Sequence, residues 1–350
     1  MQGVKTVKPT EEQTTESTTE TVFGTVPEQQ DISRREQWRR TYEKWLQTPF
    51  LVIWSDWRAR AGMIIMAGYI LMGTVGVWLT ERPYPSDYPR YQKPFQDLDY
   101  ILGTDGLGQG LLQQTIHATP AMFKMILAGA VFATVLATIV GLVAGYKGGR
   151  VDRFLMTVSD IVITIPGLIL VIVLAAWFQP RDPFLVGILL ASHRWAGFSR
   201  SLRAQTLTLR EESYVEASRA IDLSTLSVIS KDLLPNLAPL IAIYFMNASR
   251  GIIFSSAGLY FLGVLPFTTL NWGVTMNLAY SSGGSLYTWD TAHWLLVPMG
   301  AIIFLSLGLI LLAQGMDRLF NPRIRAKHDT SMETDEETDE ELSTTAMIDQ

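Results

Sequence analysis

The chain has 350 residues, 48% of them hydrophobic and only 17% charged, with a formal net charge of −5. That charge fraction is too low for an ordinary soluble protein of this size. Cysteine is absent, which excludes disulfides, thiolate chemistry and cysteine-based metal sites.

Residues 1–30 are polar and rich in Thr, Glu and Gln, lack the basic start and apolar stretch of a signal peptide, and are expected to form a disordered cytoplasmic tail. Residues 31–60 follow as an interfacial segment. Arg34, Arg35, Arg39, Arg40 and Lys44 alternate there with Trp38, Tyr42 and Trp45 at helical spacing, the pattern of an amphipathic helix lying on the inner membrane face or packing on its own protein.

A bilayer core about 30 Å thick takes about 20 apolar residues in a helix. Uncharged runs of that length are Ala61–Thr80, Met125–Tyr146, Ile161–Pro180 and Thr291–Met316, and Leu237–Leu262 is broken only by Arg250. Pro183–His193 is shorter and continues past Arg194 through Trp195–Phe198. The expected fold is therefore all-α and polytopic, with six transmembrane helices at about 61–80, 124–146, 160–179, 183–199, 237–262 and 291–316 inside one membrane domain, 61–325. Gly141 and Gly145 in the second span form a GxxxG step that lets another helix approach closely. Pro166 is expected to kink the third span. With both termini in the cytoplasm, the inner segments counted as 31–60, 147–153, 194–231 and 317–327 carry 20 Lys and Arg, and the outer segments carry 5 (Arg82, Arg90, Lys93, Lys124 and Arg181), as the positive-inside rule requires. Without the short fourth span this bias is lost. Residues 326–350 form an acidic tail expected to be disordered.

The cytoplasmic connection at 199–235 is long and patterned. Tyr214, Ala217 and Ile221 recur at helical spacing, and Leu223, Leu226 and Ile229 continue the stripe after a break near Asp222. Two short amphipathic helices joined by a turn are expected, with Pro235 marking the start of the next span. Such a stripe either packs on the protein's own helix ends or docks into a separate soluble protein. Arg250 is an intramembrane charge, a functional hypothesis by default. It could meet a substrate carboxylate, or pair with carbonyls or with a carboxylate on a partner.

Glu216-Ala217-Ser218, then Asp222, then Leu234-Pro235-Asn236, resembles the EAA loop of binding-protein-dependent ABC importer permeases. Asp222 stands where that family has Gly, and Asp is among the few other residues that tolerate positive φ. Leu102-Gly103-Thr104-Asp105 with Leu107-Gly108, Gly141–Tyr146 with Gly148-Gly149 and Val151-Asp152-Arg153, Tyr260–Gly263, Asn271-Trp272-Gly273, Asp317-Arg318 and Asn321-Pro322-Arg323 are similar, in order, to segments of the dipeptide and oligopeptide permeases, C-type chain. Gln109-Gly110 departs from that family's Arg-Asp.

The resemblance implies a type I ABC importer permease fold in a cell membrane. It also implies partnership with two cytoplasmic ABC ATPase subunits, a second permease subunit and an extracellular substrate-binding protein. Tyr214, Glu216, Ala217, Ser218, Arg219, Asp222, Leu226, Leu234 and Pro235 would form the ATPase-coupling surface, whereas Arg250 is a candidate for the substrate pathway on its place inside a span alone. The chain carries no GxxxxGK[ST] phosphate loop, so no nucleotide, cofactor or nucleic acid is expected on it, and ATP hydrolysis belongs to the partners. A secondary transporter or a membrane scaffold without ATPase partners is the competing reading. The four histidines, His117, His193, His293 and His328, are scattered and read as structural.

Overall fold

The computed structural model describes residues 54, 56–267 and 270–320. The expectations for 1–30, for all but the end of 31–60 and for 326–350 lie outside those residues. The described chain is helical, without a strand; a single antiparallel bridge joins Thr104 to Gly110.

The first helix, α1 (Trp57–Leu79), is capped by Asp56, whose carboxylate accepts from Arg58 N at 2.9 Å. It widens into a π turn at Met72–Gly76. Ile64, Ile70, Leu71 and Trp78 point outward, as a lipid-facing helix requires. Its small residues meet α10 (Ala292–Phe320): a Cβ at Gly62 would lie 2.8 Å from Leu312 N, and one at Gly315 would lie 2.4 Å from Ala59 Cβ. Early residues of α1 thus meet late residues of α10, so the two run antiparallel.

The second helix, α2 (Leu111–Lys147), has 37 residues, about 55 Å at 1.5 Å per residue. It starts well before the expected 124–146 because Lys124 ends an uncharged run without ending a helix. Gly129, Ala133, Ala137, Gly141 and Gly145 repeat every fourth residue along it, all buried. Against this stripe pack α5 (Pro183–Ala191) and α6 (Arg194–Arg210). A Cβ at Gly129 would lie 2.4 Å from Gly187 O, one at Gly141 2.8 Å from Ser199 O, and one at Gly145 3.0 Å from Arg203 O. The same interval of 58 residues separates each pair, so α5 and α6 run parallel to α2.

The third expected span is not one rod. Helices α3 (Gly149–Thr164) and α4 (Gly167–Phe178) meet at 86°, because Pro166 lacks an N–H and clashes with the preceding turn. The His193 ring fills the angle, 2.4 Å from where a Gly167 Cβ would stand. The expected fourth span, 183–199, is likewise divided between α5 and α6 at Ser192-His193. Helix α7 (Ser213–Ala220) precedes α8 (Thr225–Phe261). Pro235 stands in the first turn of the segment Leu234–Phe261, as its reading as the start of a span requires, and a π turn at Ile229–Leu233 joins that segment to Thr225–Val228 in one continuous helix. Helix α9 (Trp272–Ser281) then packs on α8. Among the described residues four helices, α1, α2, α8 and α10, are long and apolar enough to cross a membrane, or five if α3 and α4 count as one bent span.

Met122, Met125, Ile252, Ile253, Tyr260, Trp272 and Leu305 form the main core. The Asn271-Trp272-Gly273 segment explains itself there. Asn271 Oδ1 caps α9 by accepting from Gly273 N at 2.8 Å, Trp272 Nε1 donates to Thr115 O at 3.2 Å, and a Cβ at Gly273 would lie 2.7 Å from Ala257 O. Gly141→Val is expected to force α6 off α2 and to destabilise the chain by about 1–3 kcal/mol. Gly68→Ala, where a Cβ meets nothing within 4 Å, is expected to be neutral or stabilising. Thermal unfolding in detergent, followed by near-UV circular dichroism, separates the two.

Candidate functional site

Below the bundle a second core cluster gathers Leu142, Trp195, Phe198, Leu202, Val215, Val228, Leu233 and Leu237. Val215 on α7 and Val228 and Leu233 on α8 are fully buried in it, and they fix the 199–235 connection to the ends of α2 and α6. The sequence stripe points the other way. Tyr214, Ala217, Ile221, Leu223 and Leu226 are exposed, Ile221 and Leu226 to 72% and 75%. Glu216, Arg219, Asp222, Leu234 and Pro235 are also exposed, Ser218 is half-buried, and Ile229 turns back toward the cluster. Of the two fates open to the stripe, packing on its own helix ends accounts for Ile229 alone.

Helix α7 ends where Asp222 takes φ +56°, a left-handed residue at the position where the resembling family has Gly. Its N–H donates to Arg219 O at 3.0 Å, and Leu223 N donates to Ser218 O at 3.2 Å, closing the last turn. Ser224 Oγ then accepts from Ser227 N at 3.3 Å to start α8. Asn236 Nδ2 donates to the Tyr214 hydroxyl at 3.3 Å and to Asp232 O at 2.7 Å, linking the two helices. Burial, then the nearby Glu212 and Asp232 carboxylates, raise the Tyr214 phenol above its ordinary value. The Arg219 guanidinium lies 5.3 Å from the centre of the Tyr146 ring at the end of α2. Arg203 on α6 grips Asp152 on α3 through two parallel N–H donors, and this hydrogen-bonded pairing raises the arginine's pKa further. These contacts make the connection a braced hairpin rather than a loose loop.

At the opposite end, Asp105 organises the segment before α2. Its buried carboxylate accepts from Leu107 N and Gln109 N, both at 2.8 Å, and from Gln114 Nε2 at 2.7 Å. Gly103 and Gly108 sit at φ +84° and +73°, and a Cβ on either would lie within 2.5 Å of a backbone carbonyl. The LGTDxLG pattern is therefore a structural knot, in which Gln109 contributes its backbone N–H. His293 Nε2 lies 3.2 Å from Thr104 O and His117 Nε2 3.0 Å from Thr80 O. Among the described residues no group of His, Asp and Glu is arranged to hold a metal.

Arg250 is half-buried on α8, and its guanidinium makes no hydrogen bond or ion pair with the described residues. Sequence reasoning passed over a second arginine. Arg194, taken as lying inside the weak fourth span, opens α6 and donates through Nη2 to Gly251 O at 2.9 Å and to Ser255 Oγ at 2.7 Å on α8. The signal was its place within an otherwise uncharged stretch, Pro183–Ser199.

Residues 137–326, from the middle of α2 through the hairpin to the end of α10 and beyond, match the family of binding-protein-dependent transport system inner membrane components. The chain belongs to this family. It is the membrane permease subunit of an ABC importer and is not itself catalytic. It is 28% identical over 272 residues to the dipeptide transport system permease protein DppC of Bacillus subtilis, covering 76% of this chain and 82% of that one. The identity to the oligopeptide transport system permease protein OppC of Haemophilus influenzae is 28% over 266 residues, 73% and 83% of the two chains. To OppC of Mycobacterium bovis it is 35% over 222 residues, 61% and 75%.

Left-handed backbone costs a non-glycine residue roughly 1–2 kcal/mol. Asp222→Gly is thus expected to slow hydrogen exchange across 213–228 of this permease, and Asp222→Val to accelerate it, as read by mass spectrometry.

Proposed function

We propose that this permease is the C-type half of a peptide importer. It crosses the membrane six times, with both termini cytoplasmic, and works with a second permease, two cytoplasmic ATPase subunits and an external binding protein. Permeases of dipeptide and oligopeptide systems are its relatives along most of the chain, which supports the substrate class. The permease domain spans 61–325. The third crossing is the bent α3–α4 pair, and the fourth is α5 with the first turns of α6. Support for the fourth is its parallel course beside α2: a chain that alternates sides brings its second and fourth spans into the same direction. The charge bias supports the same topology.

The observation that carries the reading is the exposed apolar face of the α7–α8 hairpin, seated on buried Val215, Val228 and Leu233. That face is the anchor for an ATPase cleft, with Glu216 and Arg219 as polar contacts at its edge. The chain itself binds no nucleotide or other cofactor. ATP-driven closure of the ATPase pair moves the hairpin, and the braces to α2, α3 and α6 carry that movement to the span ends as a rigid-body rotation. Access to the pathway then alternates between the two sides, with Arg250 on its wall.

Leu226→Asp and Ile221→Asp are each expected to lower recovery of ATPase subunits with the affinity-purified permease by at least about tenfold, as loss of a central apolar anchor does. The permease itself should remain stable, because both side chains are exposed. Unchanged recovery would rule out this face as the coupling surface. Arg250→Ala is expected to leave the complex assembled and to lower uptake of labelled peptide; normal uptake would remove Arg250 from the pathway.

A further inference from the structure

Between the bend at Pro166, the start of α6 and the middle of α8 lies a cavity of about 450 Å³, within the size range of small-molecule sites. Its polar lining is His193, Arg194, Tyr244 and Asn247, and no carboxylate lines it. Its depth follows from the parallel packing of α5–α6 on α2. The interval of 58 residues sets Arg194 beside residue 136, the middle of the uncharged run Met125–Tyr146. Arg194 is thus a cation near the bilayer centre.

The site is built around that guanidinium. Nη2 is held by Gly251 O and Ser255 Oγ, and the Tyr244 hydroxyl donates to Arg194 O at 2.7 Å. Tyr244 is itself fixed by stacking on Phe198, ring centres 3.8 Å apart. A Cβ at Gly251 would lie 2.3 Å from Nη1, so glycine makes the room. The anchoring uses only neutral acceptors, and Nε is buried without a partner. One helical turn beyond Asn247, on the same side of α8, stands Arg250, also without a counter-charge among the described residues. The apolar runs of the spans contain no Asp or Glu. Two cations at this depth, with no carboxylate paired to them among the described residues, are costly unless an anion arrives from outside.

We propose that Arg194 and Asn247 form a mid-membrane station for a carboxylate, namely the C-terminal carboxylate of a peptide in transit. This rests on the peptide-import reading. Every unmodified linear peptide carries that group whatever its side chains, so a station reading it passes many sequences while favouring free acids. The guanidinium supplies charge and directed N–H donors, the Asn247 amide supplies a neutral donor, and the apolar walls at Val162, Ile163 and Ile165 accept the adjoining side chain.

The test uses the complete importer in proteoliposomes, supplied with binding protein saturated with either a peptide or its C-terminal amide, saturation being verified by calorimetry. Arg194→Gln is expected to lower uptake of the free acid by about tenfold or more, the scale of a lost hydrogen bond to a charged group. Uptake of the amide should change less than about twofold. Asn247→Asp, an exposed position that does not support the core, is expected to shift the ratio in the same direction by placing a like charge in the cavity. Equal loss for both peptides, loss of the second permease from purified Arg194→Gln complexes, or an unchanged ratio in both variants overturns the station and leaves peptide import standing. Failure of the wild-type importer to take up either peptide overturns the peptide reading, and the station with it.

Discussion

Close approach of backbones between α2 and the α5–α6 pair is the constraint on which the rest of the molecule depends. In a bilayer no hydrophobic force draws helices together, so association rests on van der Waals contact, which small residues bring to backbone range. The Gly129–Gly145 stripe supplies it over four helical turns. Because the contact keeps one interval throughout, a single register fixes several things at once. It sets Gly187 near the top, Arg194 at mid-depth and Arg203 where it can grip Asp152 below. A one-turn slip would bury larger residues against the stripe and lose all three placements.

The functional surfaces inherit their positions from that register. The α7–α8 hairpin hangs from the lower end of α2 and α6 through Val215, Val228 and Leu233, so its apolar face is presented outward because its other face is already occupied. At the upper end, the Asp105 carboxylate ties three donors into one compact segment and fixes the start of α2. Between them, the broken helices at Pro166 and at Ser192-His193 leave room for polar side chains. Departures from regular helix at membrane depth are tolerated where they line a cavity or are buried in protein, and both breaks meet at His193.

Much of this was legible in the amino-acid order. Hydropathy located α1 and α10 within a few residues, because a long uncharged run permits little else, and found the far end of α8, which starts at Thr225 rather than at 237. The GxxxG step at Gly141 and Gly145 found its partner in α6, and the left-handed Asp222 followed from its place in the EAA-like pattern. Hydropathy failed where charge and helix boundaries part company. Lys124 lies inside α2, and Pro166 breaks its helix by 86° rather than kinking it. Pro235 does open the segment Leu234–Phe261, but the wide turn before it continues the helix back to Thr225, which the sequence did not suggest. Arg194 was passed over because depth in the membrane is set by the neighbouring helix, which no local window contains.

The wide turn at Ile229–Leu233 has a mechanical consequence. It lets one unbroken rod, α8, extend from the hairpin up past Arg194 and Arg250. A push at its foot is therefore carried along continuous helix, past Pro239, toward mid-membrane. The rod's upper half bears against Arg194 through Gly251 and Ser255, so tilting it changes the grip on that guanidinium directly. The exposed hairpin face and the Arg194 cavity are thereby joined through a single piece of backbone.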